Sequence, residues 1–159
     1  MQLLVSSLNI IISCLATAPD HAELQIEVAK KLVAVARKSS TRLIFILGAG
    51  SLHTGNDHHL FVEDIAKLPD SGAWINILKQ QLAELEFLQT VSDVDWLGIS
   101  PSMSFVASKA AEHYVIGGND LLFNQDGKSE VTAGTMAQVV VNEIINSKHH
   151  QERITVVDA

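Results

Sequence analysis

The sequence predicts an α/β fold built on an open, mostly parallel sheet. Short apolar runs with almost no charge recur along the chain, as is typical of strands buried on both faces. Longer segments with helical periodicity separate these runs, and most of the links between them are short. A strand, a helix and a second strand joined in this way form a right-handed βαβ unit with parallel strands.

Length and composition limit the classes of protein that need to be considered. The 159 residues are enough for one domain, 47% of them are apolar and 18% are charged, as in a globular protein. We therefore expect a single domain over residues 1–159, with a core at about 8–104 and a C-terminal lobe at about 105–159. The net charge of −7 repels phosphate backbones, so the chain is not expected to bind nucleic acid.

The first βαβ unit is predicted from residue 9 to residue 47. Asn9–Leu15 reads as a strand buried on both faces, and Arg42–Leu47 as a second one. Between them, His21–Lys38 has helical periodicity, and Asp20 with Glu23 resembles a capping box at its start. The side chains expected to face the core are Leu24, Val28, Leu32, Val35 and Ala36.

A long polar segment and a second α/β unit follow. Residues 48–72 form a polar loop, with a short helix near Val62–Lys67, and a loop of this length is usually functional or mobile. Trp74–Thr90 is predicted as a helix and Asp95–Ile99 as the third strand. The inward-facing residues of that helix are Ile75, Leu78, Leu82, Leu85 and either Phe87 or Leu88.

The last part of the chain changes character. Residues 114–123 and 128–131 read as extended pieces beside turns, which predicts a hairpin. Thr132 or Thr135 is expected to cap a helix that runs to Asn146, and Arg153–Val157 is the last strand.

The ends of the strands locate the predicted site. In open α/β sheets, ligands bind in the crevice at the carboxyl ends of the strands, which here are Ala16-Thr17, Gly48–Ser51 and Ser100–Ser102. The Ser51 hydroxyl could bond a cofactor ring or a substrate carbonyl, or it could satisfy local backbone groups. The hydroxyls and amides of Ser100-Pro101-Ser102 could line the same crevice, although an ordinary turn that ends the strand is the simpler interpretation.

Several motifs have weaker meaning. Gly48-Ala49-Gly50 follows a strand, but His53 stands where a dinucleotide fingerprint needs its third glycine. The histidine-rich segment from His53 to His59 matches no standard metal spacing, so we expect a solvated loop and no metal. Tyr114 has Gly118, not lysine, four residues later, so no tyrosine-lysine acid/base pair is visible.

The N-terminal region and the single cysteine bear on location. Met1–Ala18 is apolar and ends in a small-residue triplet, but no Lys or Arg precedes the apolar residues and polar residues interrupt them, which argues against a secretory signal. No run is long enough to span a bilayer. Cys14 is expected to be a small buried hydrophobe in a reduced, cytoplasmic protein that does not bind membranes.

Four stretches carry a family resemblance. They are LIFILGAGSL (Leu43–Leu52), WLGISPSMSF (Trp96–Phe105), YVIGGNDLLFNQDGKSEVTAGTMA (Tyr114–Ala137) and RITVVDA (Arg153–Ala159). With them the chain resembles the NADH-flavin reductases of the atypical short-chain dehydrogenase, NmrA-like group. The resemblance implies a Rossmann-like sheet with a small C-terminal lobe, NAD or NADP as cofactor and a flavin or related acceptor as substrate.

The resemblance also implies roles for particular residues. Ser51 lies near the nicotinamide and is the expected catalytic residue. The residues expected to border the cofactor are Ala16, Thr17, Gly50, Ser51, Ser100, Pro101 and Ser102.

Two departures from the family pattern matter. The family begins with a strand, a GxxGxxG loop and a helix, whereas this chain starts at a strand that matches the family's fourth, so roughly 50 residues or more of the pattern are absent and the chain reads as N-terminally truncated. Ile75 also stands where some members carry an aromatic hydroxyl. Without the glycine-rich loop, most cofactor affinity should vanish, because its backbone amides hold the pyrophosphate.

The same departure predicts an exposed sheet edge. The strand at residues 9–15 would lack a neighbour, which soluble proteins avoid. We therefore expect either a homo-oligomer or a partner chain that covers this strand. The two functional interpretations are an NAD(P)H-dependent flavin reductase-like enzyme with a small-molecule substrate, and a non-catalytic binding or regulatory module that dimerises through the edge.

Overall fold

The structure, a computed structural model, describes residues 9–159. The predicted start of the core at residue 8 and the first eight residues of the N-terminal apolar region lie outside this range. The strands are β1 (Ile10–Ser13), β2 (Arg42–Ile46), β3 (His53–Thr54), β4 (His59–Leu60), β5 (Trp96–Ser100), β6 (Ser104–Val106), β7 (Tyr114–Gly117), β8 (Glu130–Thr132) and β9 (Glu152–Asp158). The helices are α1 (Leu24–Ser39), α2 (Phe61–Ala66), α3 (Ile75–Gln89) and α4 (Ala133–Ile145).

The main sheet has five strands in the order β1-β2-β5-β9-β7. The first four are parallel, with Ile44 of β2 opposite Leu97 of β5. β7 is antiparallel to β9 at the far edge. The predicted open, mostly parallel α/β sheet is therefore confirmed, and the carboxyl ends of β1, β2 and β5 lie along one side of it.

Helices cover the sheet on both faces. α1 and α3 pack on one face, where Val33 and Leu88 contact the side chains of Phe45 and Trp96. α4 packs on the other, where Met136 and Val139 meet Ile44, Leu97 and Ile154. Thr132 is the cap of α4, because its side chain accepts a hydrogen bond from the Thr135 backbone N–H over 3.2 Å.

The predicted face of α1 is right in part, and its predicted start is wrong. Ala36 is buried and Leu32 packs against the core as predicted, whereas Leu24 and Val35 are exposed. The other buried residues of α1 are Gln25, Ala29 and Val33. The helix is rotated by about one residue because a polar side chain, Gln25, is buried between helices. Asp20 lies in a short 3₁₀ turn instead of capping α1, and no side-chain cap bond is present at Glu23.

The predicted hairpin over residues 114–131 is also wrong. β7 joins the main sheet beside β9, and β8 pairs in parallel with β6 in a separate small sheet. The two extended pieces thus pair with strands distant in sequence, which local turn signals cannot indicate.

β1 forms the edge of the sheet, as predicted, since among residues 9–159 it pairs only with β2. The expectation that this strand is buried on both faces is wrong, because Ile12 is 40% exposed. Cys14 is exposed, not buried, because it follows the edge strand.

The long polar segment is mostly ordered. Ala49–Ser51 form a 3₁₀ turn, β3 and β4 form a small antiparallel hairpin, and α2 occupies the position predicted for a short helix. No helix in the described part of the chain is long and apolar enough to cross a membrane.

Candidate functional site

A cavity of about 610 Å³ opens where β1 and β2 end and α4 begins. Its walls are almost entirely apolar. They come from the end of β1 (Ile12, Cys14, Leu15, Ala16), the end of β2 (Ile46, Leu47, Gly48), Gln81 of α3, Pro101 and Phe105 after β5, and the exposed flank of α4 (Ala133, Met136, Ala137, Val140, Val141, Ile144). Such a lining suits a flat apolar ring better than a charged ligand.

The structure brings two of the predicted cofactor-bordering residues into this cavity. Ala16 and Pro101 are in its wall, and Gly48 lies beside them. Thr17 follows Ala16, and its Oγ1 is buried without a hydrogen-bond partner among the described residues. Gly50 is buried against Leu78 and Val62, away from the cavity wall.

The three predicted serines form a different environment. Ser51, Ser100 and Ser102 are at most 3% exposed, and none is in the cavity wall. The Ser51 hydroxyl donates to the Gly48 carbonyl over 3.2 Å, and the Ser102 hydroxyl donates to the Val156 carbonyl. The Ser51 bond is local, like the backbone bonding expected in one of its two interpretations. The Ser102 bond instead reaches β9, 54 positions away in the chain.

Arg153 is a residue of this region that the sequence analysis missed. From β9 its guanidinium donates to Ser51 Oγ over 3.3 Å, to Ser100 Oγ over 3.4 Å and to Asn119 Oδ1 over 2.8 Å. Burial lowers the pKa of Arg153 to about 10, although nearby Asp120 opposes the shift. The signal in the sequence was a lone arginine at the start of an otherwise apolar strand, since buried arginines require several acceptors.

A buried pair of polar side chains lies behind the cavity. Gln25 Nε2 donates to Glu84 Oε2 over 2.7 Å, and both residues are at most 2% exposed. Burial raises the pKa of the Glu84 carboxyl to about 7, and the bond from Gln25 opposes that shift. Gln25 Nε2 also lies 3.4 Å from the carbonyl oxygen of Leu15, whose side chain lines the cavity.

The described residues do not fit the diphosphate of a dinucleotide. Such a group needs a glycine-rich turn that opens directly into a helix. Gly48-Ala49-Gly50 opens a 3₁₀ turn and then a hairpin, and acidic residues stand at the start of α1 and of α2. In the part of the chain that the structure covers, no helix begins with the required turn, so these residues offer no site of this kind for a diphosphate.

The histidine-rich loop has local partners. His59 lies 2.6 Å from Asp57 and 2.8 Å from Asp64, and these carboxylates raise the pKa of His59. No group of three potential metal ligands occurs within residues 9–159.

Comparisons with known proteins agree with this fold. No family model matches the chain. A solved structure of a Lactobacillus casei protein is 32% identical with a TM-score of 0.85, and the match covers 96% of this chain and 71% of that one. A candidate NADH-flavin reductase from Streptococcus pneumoniae, SP1627, is 23% identical with a TM-score of 0.86, covering 98% and 74% of the two chains.

Two further matches are informative. The Bacillus subtilis protein YwnB, which is uncharacterized, is 25% identical over 155 residues, 96% of this chain and 72% of its own. A short-chain dehydrogenase/reductase from Veillonella parvula, solved in complex with NADP, has a TM-score of 0.62 at 12% identity, covering 97% and 64%.

The fold is that of the NAD(P)-binding Rossmann oxidoreductases, which confirms the predicted resemblance at the level of the fold. The chain belongs to the same protein family as the Lactobacillus casei protein.

Proposed function

We propose that the chain is the ring-binding part of an NAD(P)H-dependent flavin reductase-like oxidoreductase. The single observation that supports this proposal is the apolar cavity at the carboxyl ends of β1 and β2. In this position open α/β sheets bind their ligands, and the apolar walls would exclude water from a stacked nicotinamide or flavin ring.

The residues divide this work between them. Ala16 and Pro101 would form the walls around the ring. Ser51 and Ser100 would not touch the ring, because they lie behind the cavity wall. Their hydroxyls would hold the guanidinium of Arg153, which adds positive charge at the strand ends. That charge would favour an acceptor that becomes more negative on reduction. A reduced, cytoplasmic setting suits this arrangement, because the exposed Cys14 thiol lies at the cavity.

The proposal is tested by calorimetric titration with riboflavin, a flavin ring without phosphate. We expect binding to the unmodified chain and its loss in Ala137→Phe, since Ala137 lines the cavity and a phenyl group would fill it. Gln138→Phe is the matched control, because Gln138 is exposed on the same helix outside the cavity wall. Equal riboflavin affinity in all three proteins would contradict the proposal.

A second candidate function is a non-catalytic module that pairs with another copy of itself. The edge position of β1 and the exposed Ile12 support it. An unpaired edge strand can extend its sheet into another chain. Val141 and Ile144 of α4 line the cavity beside this edge and are also exposed, so the apolar surface continues across both elements.

Sedimentation velocity tests this second function. We expect a dimer for the unmodified chain and a monomer for Ile12→Lys, because a lysine charge on the edge opposes pairing. Val115→Lys, on the opposite edge strand β7, is the control and should remain dimeric. A monomeric unmodified chain would exclude the dimerising module.

A further inference from the structure

Gln25 and Glu84 form a buried hydrogen-bonded pair with one unsatisfied atom. Gln25 Nε2 contacts Glu84 Oε2 at 2.7 Å, whereas Gln25 Oε1 is buried and has no partner among the described residues. A buried acceptor left without a donor is costly, so native structures rarely keep one. The missing donor is the feature to be explained.

A proton on Glu84 supplies that donor. A neutral carboxyl group presents an O–H beside its carbonyl oxygen, and a primary amide presents an acceptor beside an N–H. The two groups can therefore form two hydrogen bonds at once, with Glu84 donating to Gln25 Oε1 while Gln25 Nε2 donates back. An ionised Glu84 has no proton to donate, so it can only accept from Gln25 and leaves Gln25 Oε1 without a donor beside a negative charge.

The pair connects three elements. Gln25 is on α1, Glu84 is on α3, and the 3.4 Å contact from Gln25 Nε2 reaches the Leu15 carbonyl at the carboxyl end of β1. Leu15 and the neighbouring Ala16 line the cavity. A change in the pair therefore reaches the cavity wall directly.

We propose that Gln25 and Glu84 are a proton-dependent latch, closed when Glu84 is neutral, that fixes the carboxyl end of β1 against α1 and α3. When the proton is lost, the amide of Gln25 rotates away, Leu15 loses its donor and the wall formed by Leu15 and Ala16 loosens. The latch does not depend on the proposed function, because it concerns the free protein.

Among the described residues, no other charged group near Gln25 and Glu84 accounts for the expected pH dependence of the latch. Gln25 is the only side chain that bonds Glu84 in the described part of the chain, and burial opposes charge on its carboxyl group. The end of β1 carries no ionisable residue except Cys14. The charged residues of α1 and α3 nearest in sequence are all exposed, and they are Glu27, Lys30, Lys31, Lys79 and Glu86.

Nuclear magnetic resonance on the full chain tests the latch without any ligand. We expect the side-chain carboxyl carbon of Glu84, the side-chain amide of Gln25 and the backbone amide of Ala16 to titrate together with a midpoint near the pKa of about 7. The Ala16 amide is informative because it shares a peptide unit with the Leu15 carbonyl. In Glu84→Gln, an amide replaces the neutral acid, so the titration of Gln25 and Ala16 should disappear.

Two controls keep the outcome clear. Glu86→Gln removes an exposed carboxylate from the same helix and should leave all three titrations unchanged. Gln25→Leu removes the partner, so the Ala16 signal should no longer follow the Glu84 titration. An ionised Glu84 at pH 5.5, or an Ala16 signal that ignores the Glu84 titration, would overturn the latch.

A ligand measurement separates the latch from the proposed function. If riboflavin binds, its affinity should fall by about threefold or more between pH 5.5 and pH 8.5 in the unmodified chain and stay constant in Glu84→Gln. If riboflavin does not bind, the proposed function fails, whereas the resonance titrations still decide the latch.

Discussion

Arg153 donates a hydrogen bond to the hydroxyl of Ser51 over 3.3 Å and so joins two residues 102 positions apart in the chain. The same nitrogen lies 3.4 Å from the Ser100 hydroxyl. One buried guanidinium thus organises the ends of β2 and β5 on the face of α3, while the apolar cavity lies towards α4. The strand ends therefore present two environments, one polar and closed and one apolar and open.

The importance of this guanidinium can be measured by Arg153→Lys. An ammonium group cannot span the acceptors on Ser51, Ser100 and Asn119, so buried oxygens lose their donors. We expect the free energy of unfolding to fall by about 1–3 kcal/mol in urea titrations. Arg37→Lys, at an exposed ion pair with Asp93, should cause no measurable change. Equal effects of the two substitutions would contradict the assigned role of Arg153.

Glu84 should make stability depend on pH. Its pKa of about 7 in the folded chain lies above the ordinary value of 4.5, so the folded state binds more protons between these values. Its contribution is fully present below pH 4.5 and is lost as the pH rises through 7. At pH 8, Glu84→Gln should be more stable than the unmodified chain by on the order of 3 kcal/mol, with little difference at pH 4.5. Urea titrations at both pH values check this, and a pH-independent difference would refute it.

Glu143 should act in the opposite direction. Burial alone would raise its pKa, but hydrogen bonds from His149 at 2.7 Å and Arg42 at 3.1 Å outweigh burial and lower it. Its contribution is present above pH 4.5 and is lost as the pH falls through the lowered value.

Removing that charge leaves the buried Arg42 guanidinium with Asp95, 3.4 Å from its Nε, as the remaining carboxylate partner. Glu143→Gln should cost about 1–3 kcal/mol at pH 7 in urea titrations, and less in acid. Glu112→Gln, an exposed glutamate, is the control. A cost that stays constant down to pH 3 would show that the charge of Glu143 does not matter.

Gly134 in the first turn of α4 should tolerate no side chain. A Cβ there would clash with the backbone nitrogen of Ala110, and a backbone atom cannot move aside as a flexible side chain can. We expect Gly134→Ala to lower the free energy of unfolding by about 2 kcal/mol or more. Gly118→Ala, where nothing lies within 4 Å of the added Cβ, should leave thermal unfolding unchanged. If Gly134→Ala left the free energy of unfolding unchanged, the backbone at Lys109 and Ala110 could not be packed against α4.

The main strands and helices, and the strand ends at which the cavity opens, could be predicted from the sequence, because both depend on local patterns. The apolar run of RLIFIL identified β2 to within one residue. The positions of Ala16 and Pro101 followed from where strands end, and both residues line the cavity.

The errors came from interactions between distant residues. Gln25 looks like a surface residue until Glu84, 59 positions away, becomes its partner, and that pairing turns the buried face of α1. Likewise, nothing in the sequence around Arg153 indicates that its side chain bonds Ser51 and Ser100, which are 102 and 53 positions away. β7 and β8 resembled a hairpin because turn residues lie between them. β7 pairs instead with β9, and β8 pairs with β6, and neither pairing leaves a local signal in the sequence.

We propose that the described residues bind the ring of a cofactor but hold no diphosphate. The most direct test is a calorimetric comparison of NADH with reduced nicotinamide mononucleotide, which has the same ring and one phosphate but lacks the adenosine monophosphate half, and therefore the diphosphate. We expect dissociation constants within about twofold of each other, since the additional phosphate of NADH meets no glycine-rich helix start. Binding of NADH at least about tenfold tighter would contradict it.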